Sequence, residues 1–285
     1  MSRIAYVNGQ YVPHAHAMIG IEDRGYQFAD GVYEVCEVRG GRLVDERRHM
    51  ARLDRSLSEL RIGHPMSPAA LGMVMRETIR RNRVRDGIVY LQVTRGEMKR
   101  DFPFPPEGTR PSIVVTSRSH NNARNEKAAE AGIAVVTMPD IRWQRVDIKS
   151  VALLPNVLAK QQAREQGAKE AWLVDGEGRV TEGASSNAWI VTRDGVLVTR
   201  PLQTGILPGI TRSVVLDLIA REGLGFEERP FTVQEAYEAR EAFVTSASQL
   251  VMPVVQIDGR PVGNGAPGLV ASALRRDYHS QAEFI

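Results

Sequence analysis

The chain has 285 residues, 42% hydrophobic and 25% charged, with 37 basic residues against 34 acidic ones and a formal net charge of +3. That composition belongs to a globular protein of one large or two medium domains, and so small a net charge argues against a nucleic-acid partner. The single cysteine, Cys36, excludes an intramolecular disulfide, and no CxxC or Cys/His spacing suggests a metal site. The opening "MSRIAYVNGQYV" lacks an apolar leader region, and no run approaches the roughly 18 apolar residues of a membrane span, so a cytoplasmic soluble protein is expected.

In chain order, "IAYVNGQYV" reads as a hairpin around Asn8-Gly9. "GVYEVCEVRGGRLV" is a second hairpin turning at Gly40-Gly41, with Val32 and Glu34 on one face and Tyr33, Val35 and Glu37 on the other. "DERRHMARLDRSLSEL" carries Met50, Leu53, Leu57 and Leu60 at helical spacing. "SPAALGMVMRETIRRN" is a helix capped by Ser67 with Pro68 in its first turn, and the basic run that follows is its solvated end. "GIVYLQVTRG" and "PSIVVTSRS" are strands, so the first half reads as an α+β domain with an antiparallel or mixed sheet.

The polar stretch 117–126, "SRSHNNARNE", reads as a linker. It places an N-terminal domain at 1–118, a junction at 119–124 and a C-terminal domain, carrying Lys149, at 125–285. The second half opens with strand "GIAVVTMP" and a helix "NVLAKQQAREQG" capped by Asn156 and stopped by Gly167. Two hairpins with Asp-Gly turns follow, then a helix from "GITR" and closing strands in "EAFVTSASQLVMPVVQIDG".

Four features carry chemistry. Lys149 follows Ile148 and precedes the apolar "VALLPNV", whereas Lys160 lies in a run that looks like an exposed helix. An amine beside apolar sequence fits a nucleophile for a carbonyl, and equally a lysine snorkelling from a strand end. Glu182 ends an apolar strand before Gly183, Ala184, Ser185 and Ser186, small residues that let backbone approach a ligand; a polar hairpin turn reads the same way. Gly209, Ile210 and Thr211 open a helix and present free amides to an anion such as phosphate, or simply cap it. Ser246, Ala247 and Ser248 end a strand and could complete that cup. Taken together the features ask for one ligand with a carbonyl, a phosphate and a ring nitrogen, which is pyridoxal 5'-phosphate.

The chain resembles the fold-type IV pyridoxal-phosphate enzymes, and among them most the D-amino acid transaminases. The resemblance is carried by "EDRGYQFADGVYEV" (22–35), "HMARL" (49–53), "VYLQVTRG" (89–96), "DIRWQRVDIKS" (140–150), "VTEGASSN" (180–187), "GITR" (209–212) and "FVTS" (243–246). It implies a homodimer of two-domain subunits of α+β to α/β class, with a smaller N-terminal α/β domain and a larger, β-rich pseudo-barrel domain with helices. It implies transfer of an amino group from a D-amino acid to a 2-oxo acid by a ping-pong cycle, with Lys149 forming the Schiff base. By the same resemblance Glu182 pairs with the pyridinium nitrogen, and Arg52, Ile210, Thr211, Ser246 and Ala247 hold the phosphate. Ser185, Ser186, Leu207 and Gly209 belong to the cofactor site, and Tyr33, Val35, Tyr90 and Arg100 to the substrate side. Two positions depart from the pattern. Ala247 stands where relatives often have Thr, and Phe102 stands where an Arg-x-His pair would place His two residues after Arg100. The second departure keeps a branched-chain L-amino acid or (R)-amine transaminase as the alternative, with aminodeoxychorismate lyase a further one.

Overall fold

Asn8 and Gly9 both adopt positive φ, and the hairpin they close pairs β1 (Ile4–Val7) with β2 (Gln10–Pro13). The computed structural model describes residues 3–202 and 205–285, which divide into two units. The first comprises the chain up to Asn122 together with Ile148–Ala152 and Glu283–Ile285; the second comprises Ala123–Asp147 and Leu153–Ala282.

After the first hairpin the first unit holds α1 (Arg24–Phe28), β3 (Gly31–Arg39), β4 (Arg42–Leu43), α2 (Glu46–Glu59), α3 (Pro68–Asn82), β5 (Gly87–Thr94) and β6 (Ser112–Ser119). Its six strands are antiparallel throughout, in the order β2-β1-β6-β5-β3-β4. Leu53 and Leu57 of α2 and Leu71, Met75 and Ile79 of α3 bury their stripes against Val32, Val89, Leu91 and Val115 of the sheet. Ser67 caps α3 as expected, its hydroxyl accepting from Ala70 N at 3.3 Å. The three C-terminal residues extend this sheet edge: Leu43 and Ile285 exchange both backbone hydrogen bonds at 2.9 and 3.0 Å.

The second unit runs α4 (Asn122–Ala131), β7 (Ile133–Pro139), α5 (Leu154–Glu165), β8 (Glu170–Val174), β9 (Arg179–Gly183), β10 (Asn187–Val191), β11 (Leu197–Thr199), α6 (Ile210–Glu222), β12 (Phe226–Glu228), β13 (Phe231–Thr232), α7 (Val233–Glu238), β14 (Glu241–Ser246), β15 (Leu250–Ile257), β16 (Arg260–Pro261) and α8 (Leu269–Gln281). The strand order is β12-β11-β10-β14-β15-β7-β8-β9-β13, with β16 on β15, and parallel pairs occur at β7–β8, β7–β15 and β11–β12. Trp172 and Phe231 centre one core, and Trp189 and Phe243 centre another, covered by α6 and α8. The two units together make an α+β chain, one sheet antiparallel and the other mixed.

Three local expectations are corrected. The stretch read as a linker does hold the division between the units, after Asn122, but it is the end of β6 followed by α4, a helix polar on nearly every face with Ala129 its only buried residue among those described. Such a segment gives no periodic signal, although Ala, Lys and Glu favour helix. Asn156 does not cap α5, which starts two residues earlier with Pro155 in its first turn; the Asn156 amide instead donates to Ala184 O at 2.8 Å. Lys149, placed by sequence in the C-terminal domain, clusters with the first unit because its segment pairs with β3.

Candidate active site

In the first unit, the segment around Lys149 behaves as a short added strand. Tyr33 N donates to Lys149 O at 3.0 Å, Val151 N donates to Gly31 O at 3.0 Å, and Ser150 bridges Val32. Strand alternation then sends Ile148, 3% exposed, into the core and Lys149 the other way. Lys149 Nζ lies 4.3 Å from the centroid of the Tyr33 ring, and Tyr33 stacks on Tyr90 with centroids 5.7 Å apart. The Tyr90 hydroxyl donates to Gln92 Oε1 at 2.6 Å, and burial pushes that phenol up to about 12. Lys149, Tyr33 and Tyr90 are thus brought together, with Val35 on the same half-buried face of β3 as Tyr33.

The opposite face of β3 carries a residue the sequence reading passed over. Glu34 is fully buried among apolar neighbours, which costs several kcal/mol unless it is paired. Arg52 pairs it with a two-pronged contact, Nε to Oε1 and Nη2 to Oε2, both at 2.8 Å. His49 Nδ1 lies 2.7 Å from Oε2, and burial depresses that imidazole, so the neutral ring with an Nδ1 proton donates. Burial alone would raise Glu34; the Arg52 guanidinium outweighs it and holds the carboxyl down to about 2. Arg52, expected to grip phosphate, therefore already has a carboxylate partner that fixes its plane.

A carboxyl depressed from 4.5 to about 2 adds stability above pH 4.5 and loses it as pH falls toward 2. The stability difference between wild type and Glu34→Gln is expected to reach about 3 kcal/mol at neutral pH and to fade near pH 2. Urea unfolding at pH 7, 4 and 2.5 reads it, and a difference that stayed constant across the series would remove Glu34 as the cause.

In the second unit, Glu182 ends β9 with 3% exposure. Its oxygens accept from Arg142 Nη1, from Asn187 Nδ2 at 2.8 Å and from Leu207 N at 3.1 Å. Arg142 spends its remaining edge on Asp140, with Nε and Nη2 at 2.9 and 2.7 Å. The guanidinium gains from two carboxylates while they share one cation, so Arg142 stays charged and Glu182 is the member that titrates. Burial pushes Glu182 up to about 7 against the pull of Arg142 and Leu207 N–H.

Asn187 Nδ2 also donates to Leu207 O at 2.9 Å, so Leu207 is held at both its amide and its carbonyl. Gly209 follows for a steric reason: a Cβ there would sit 2.0 Å from Asn187 Oδ1. It starts α6, whose first amides no side chain of the described residues caps, with Thr211 buried in the first turn. Free amides at a helix start favour an anion. Ser246 and Ala247 end β14 half-buried, as a strand-to-turn corner. Ser185 and Ser186 follow β9 in a turn. Both hydroxyls donate to the buried Glu170, at 2.7 and 3.1 Å, and Lys160 pairs with the same carboxylate at 3.2 Å. Their hydroxyls brace the turn from behind, so it is backbone that the turn offers a ligand.

Glu34, His49, Asp140, Arg142, Glu170 and Asn187 are the site residues sequence reasoning missed. One signal was available: Glu34 stands on the Val32–Cys36–Val38 face of an alternating strand, where a lone carboxylate demands a partner.

These features define a class. A model described as amino-transferase class IV matches residues 31–257, and the chain belongs to that family. It is 43% identical over 261 residues to a D-alanine aminotransferase of Bacillus licheniformis, covering 92% of this chain and 90% of the relative. A D-alanine aminotransferase of Staphylococcus haemolyticus is 39% identical over 278 residues, covering 98% and 97%. Among solved structures, the T.th. branched-chain amino acid aminotransferase with pyridoxamine 5'-phosphate superposes with a TM-score of 0.90 at 26% identity, covering 98% of this chain and 94% of that one.

Proposed function

We propose that this enzyme is a pyridoxal 5'-phosphate-dependent transaminase that moves an amino group from a D-amino acid such as D-alanine to a 2-oxo acid. The observation that carries the donor class is the 43% identity to a D-alanine aminotransferase over nearly the whole chain, with Lys149 and Glu182 in the settings described above. The donor set suits the cofactor: an amine beside two tyrosines, a buried carboxylate backed by a guanidinium, and uncapped helix amides with a glycine before them. When bound, the cofactor supplies an electron-withdrawing heterocycle whose aldehyde carbon carries the amino group between the two half-reactions. Lys149 Nζ would take the proton from the substrate α-carbon and deliver it to the cofactor's former aldehyde carbon, and would carry it the opposite way in the second half-reaction. Glu182 holds a proton at the ring nitrogen, and Arg142 and Asn187 keep its carboxylate oriented. The first amides of α6 would hold the phosphate, and the resemblance gives Arg52, in its Glu34-fixed plane, the same role. Arg100 binds the substrate carboxylate.

A homodimer fits the first unit, where Met18, Ile21 and Tyr26 are about 80% exposed within nine residues of chain. A cytoplasmic setting is proposed with it; no helix among the described residues is long and apolar enough to cross a membrane.

The test adds one donor at a time to the holoenzyme, without acceptor, and follows the cofactor absorbance and the 2-oxo acid released. Conversion by D-alanine and not by L-leucine or (R)-1-phenylethylamine is expected. Conversion by L-leucine alone would replace this reading with the branched-chain one, and conversion by the amine alone with the (R)-amine one.

A further inference from the structure

Residues 95–110 leave β5 as an irregular loop carrying Arg100 and the exposed rings of Phe102 and Phe104. At its base two guanidinium groups converge on one carboxylate. Asp30 accepts from Arg24 Nε at 2.8 Å and from Arg95 Nε and Nη2 at 2.7 and 2.9 Å, with side chains 4% and 8% exposed for the two arginines. Two buried cations on one anion are costly unless the spare N–H groups find acceptors.

They find backbone carbonyls in two separate segments. Arg95 Nη1 and Nη2 donate to Arg61 O and Leu60 O, just past the end of α2, at 2.9 and 2.8 Å. Arg24 Nη1 and Nη2 donate to Asp101 O and Phe102 O at 2.7 and 3.2 Å, directly after Arg100. Backbone bonds reinforce the join, Arg24 N to Gly96 O at 2.9 Å and Met98 N to Glu22 O at 3.2 Å. Above it the Phe28 ring lies between Arg24 and Arg100, at 4.8 and 5.1 Å from their Cζ atoms, and the Phe102 ring is 5.5 Å from that of Phe28. Where an Arg-x-His pattern would put an imidazole, this chain surrounds Arg100 with two phenyl rings on a backbone clamped from below.

We infer that Arg24, held by Asp30, is a positioning residue that fixes the 97–104 loop and, through it, the direction in which Arg100 meets a substrate carboxylate. The role of Arg100 rests on the function proposed above; the clasp itself rests on the contacts just given. A lysine at position 24 keeps the charge beside Asp30 but cannot span a carboxylate and two carbonyls at once.

The experiment compares wild-type, Arg24→Lys and Asp30→Asn holoenzymes in two readouts. The first is tryptic cleavage after Lys99 and Arg100, mapped by mass. The second is KM and kcat for D-alanine, or for whichever carboxylate donor the wild type accepts. Losing two charge-assisted hydrogen bonds should speed cleavage at the loop about tenfold or more and raise KM about tenfold, with kcat within about twofold. Asp30→Asn should move both readouts in the same direction. Unchanged cleavage in folded Arg24→Lys protein overturns the clasp, and faster cleavage with unchanged KM overturns the positioning role. A fall in kcat together with loss of bound cofactor and a lower melting temperature would make the cluster a fold staple only, which also overturns it. A wild type inert toward D-alanine but active on another carboxylate donor would sink the proposed donor and leave the clasp to be judged by the same comparison.

Discussion

Replacing Lys149 by alanine is expected to leave a folded protein whose transamination is slower by about four orders of magnitude. Folding survives because the segment is held by its backbone and by Ile148. The bonds from Tyr33 N to Lys149 O and from Val151 N to Gly31 O do not involve the amine, and Ile148 stays in the core. The cation over the Tyr33 ring contributes about 0.5–1 kcal/mol to stability. On the proposed reading activity collapses because one amine provides both the covalent attachment and the proton carrier at the α-carbon. Tyr33 and Tyr90 are the adjacent polar side chains, and the Tyr90 phenol, pushed up to about 12 by burial, is far too weak an acid to serve near neutral pH. Thermal melting and single-turnover kinetics on D-alanine separate the two effects. A variant that melts with the wild type and retains more than about a hundredth of its rate would show that Lys149 is not the proton carrier.

The glycine-led start of α6 was legible in sequence, whereas Lys160, read as lying on an exposed helix, is half-buried like Lys149 and pairs with the buried Glu170. The hairpins at Asn8-Gly9 and Gly40-Gly41 were legible as well, since the turn residues themselves dictate positive φ. The supporting charges were not. Glu34 meets partners 15 and 18 positions away on α2, and Arg142 meets Glu182 across 40 positions, pairings that only the packed sheets create. The segment joining Lys149 to the first unit was also hidden: three residues pairing with β3 are too short to show a strand's alternation. Ser185 and Ser186 were read as small residues that admit a ligand to the backbone, and the buried Glu170 that takes both hydroxyls carried no signal in sequence. In each case the chemistry-bearing residue was visible and the residue that orients it was not.

Arg142→Met tests that second layer, and its effect should be about 3–5 kcal/mol of lost stability in the cofactor-free protein. The substitution keeps side-chain bulk while stranding two carboxylates, Glu182 and Asp140, that the guanidinium now serves from its two edges. With the cation gone both are pushed up by burial, and Glu182, already at about 7, rises further. A carboxyl raised above its ordinary 4.5 binds more protons folded than unfolded, so stability falls as pH climbs from 4.5 through the folded value. The penalty of Arg142→Met is therefore expected to be larger at pH 8 than at pH 5, where Glu182 can sit neutral. Adding Glu182→Gln should recover part of the loss at pH 8, because an amide needs no counter-charge and still accepts from Leu207 N and Asn187. Chemical denaturation of the two variants and wild type at both pH values settles it, and equal losses at pH 5 and pH 8 would mean that Arg142 is felt through packing and not through charge. On the proposed reading the same guanidinium decides whether Glu182 is an anion when the cofactor's ring nitrogen arrives. A protonated nitrogen adds a second cation to the pair and pulls Glu182 back down, so cofactor binding should restore more stability to wild type than to Arg142→Met/Glu182→Gln, which has no carboxylate there to meet it.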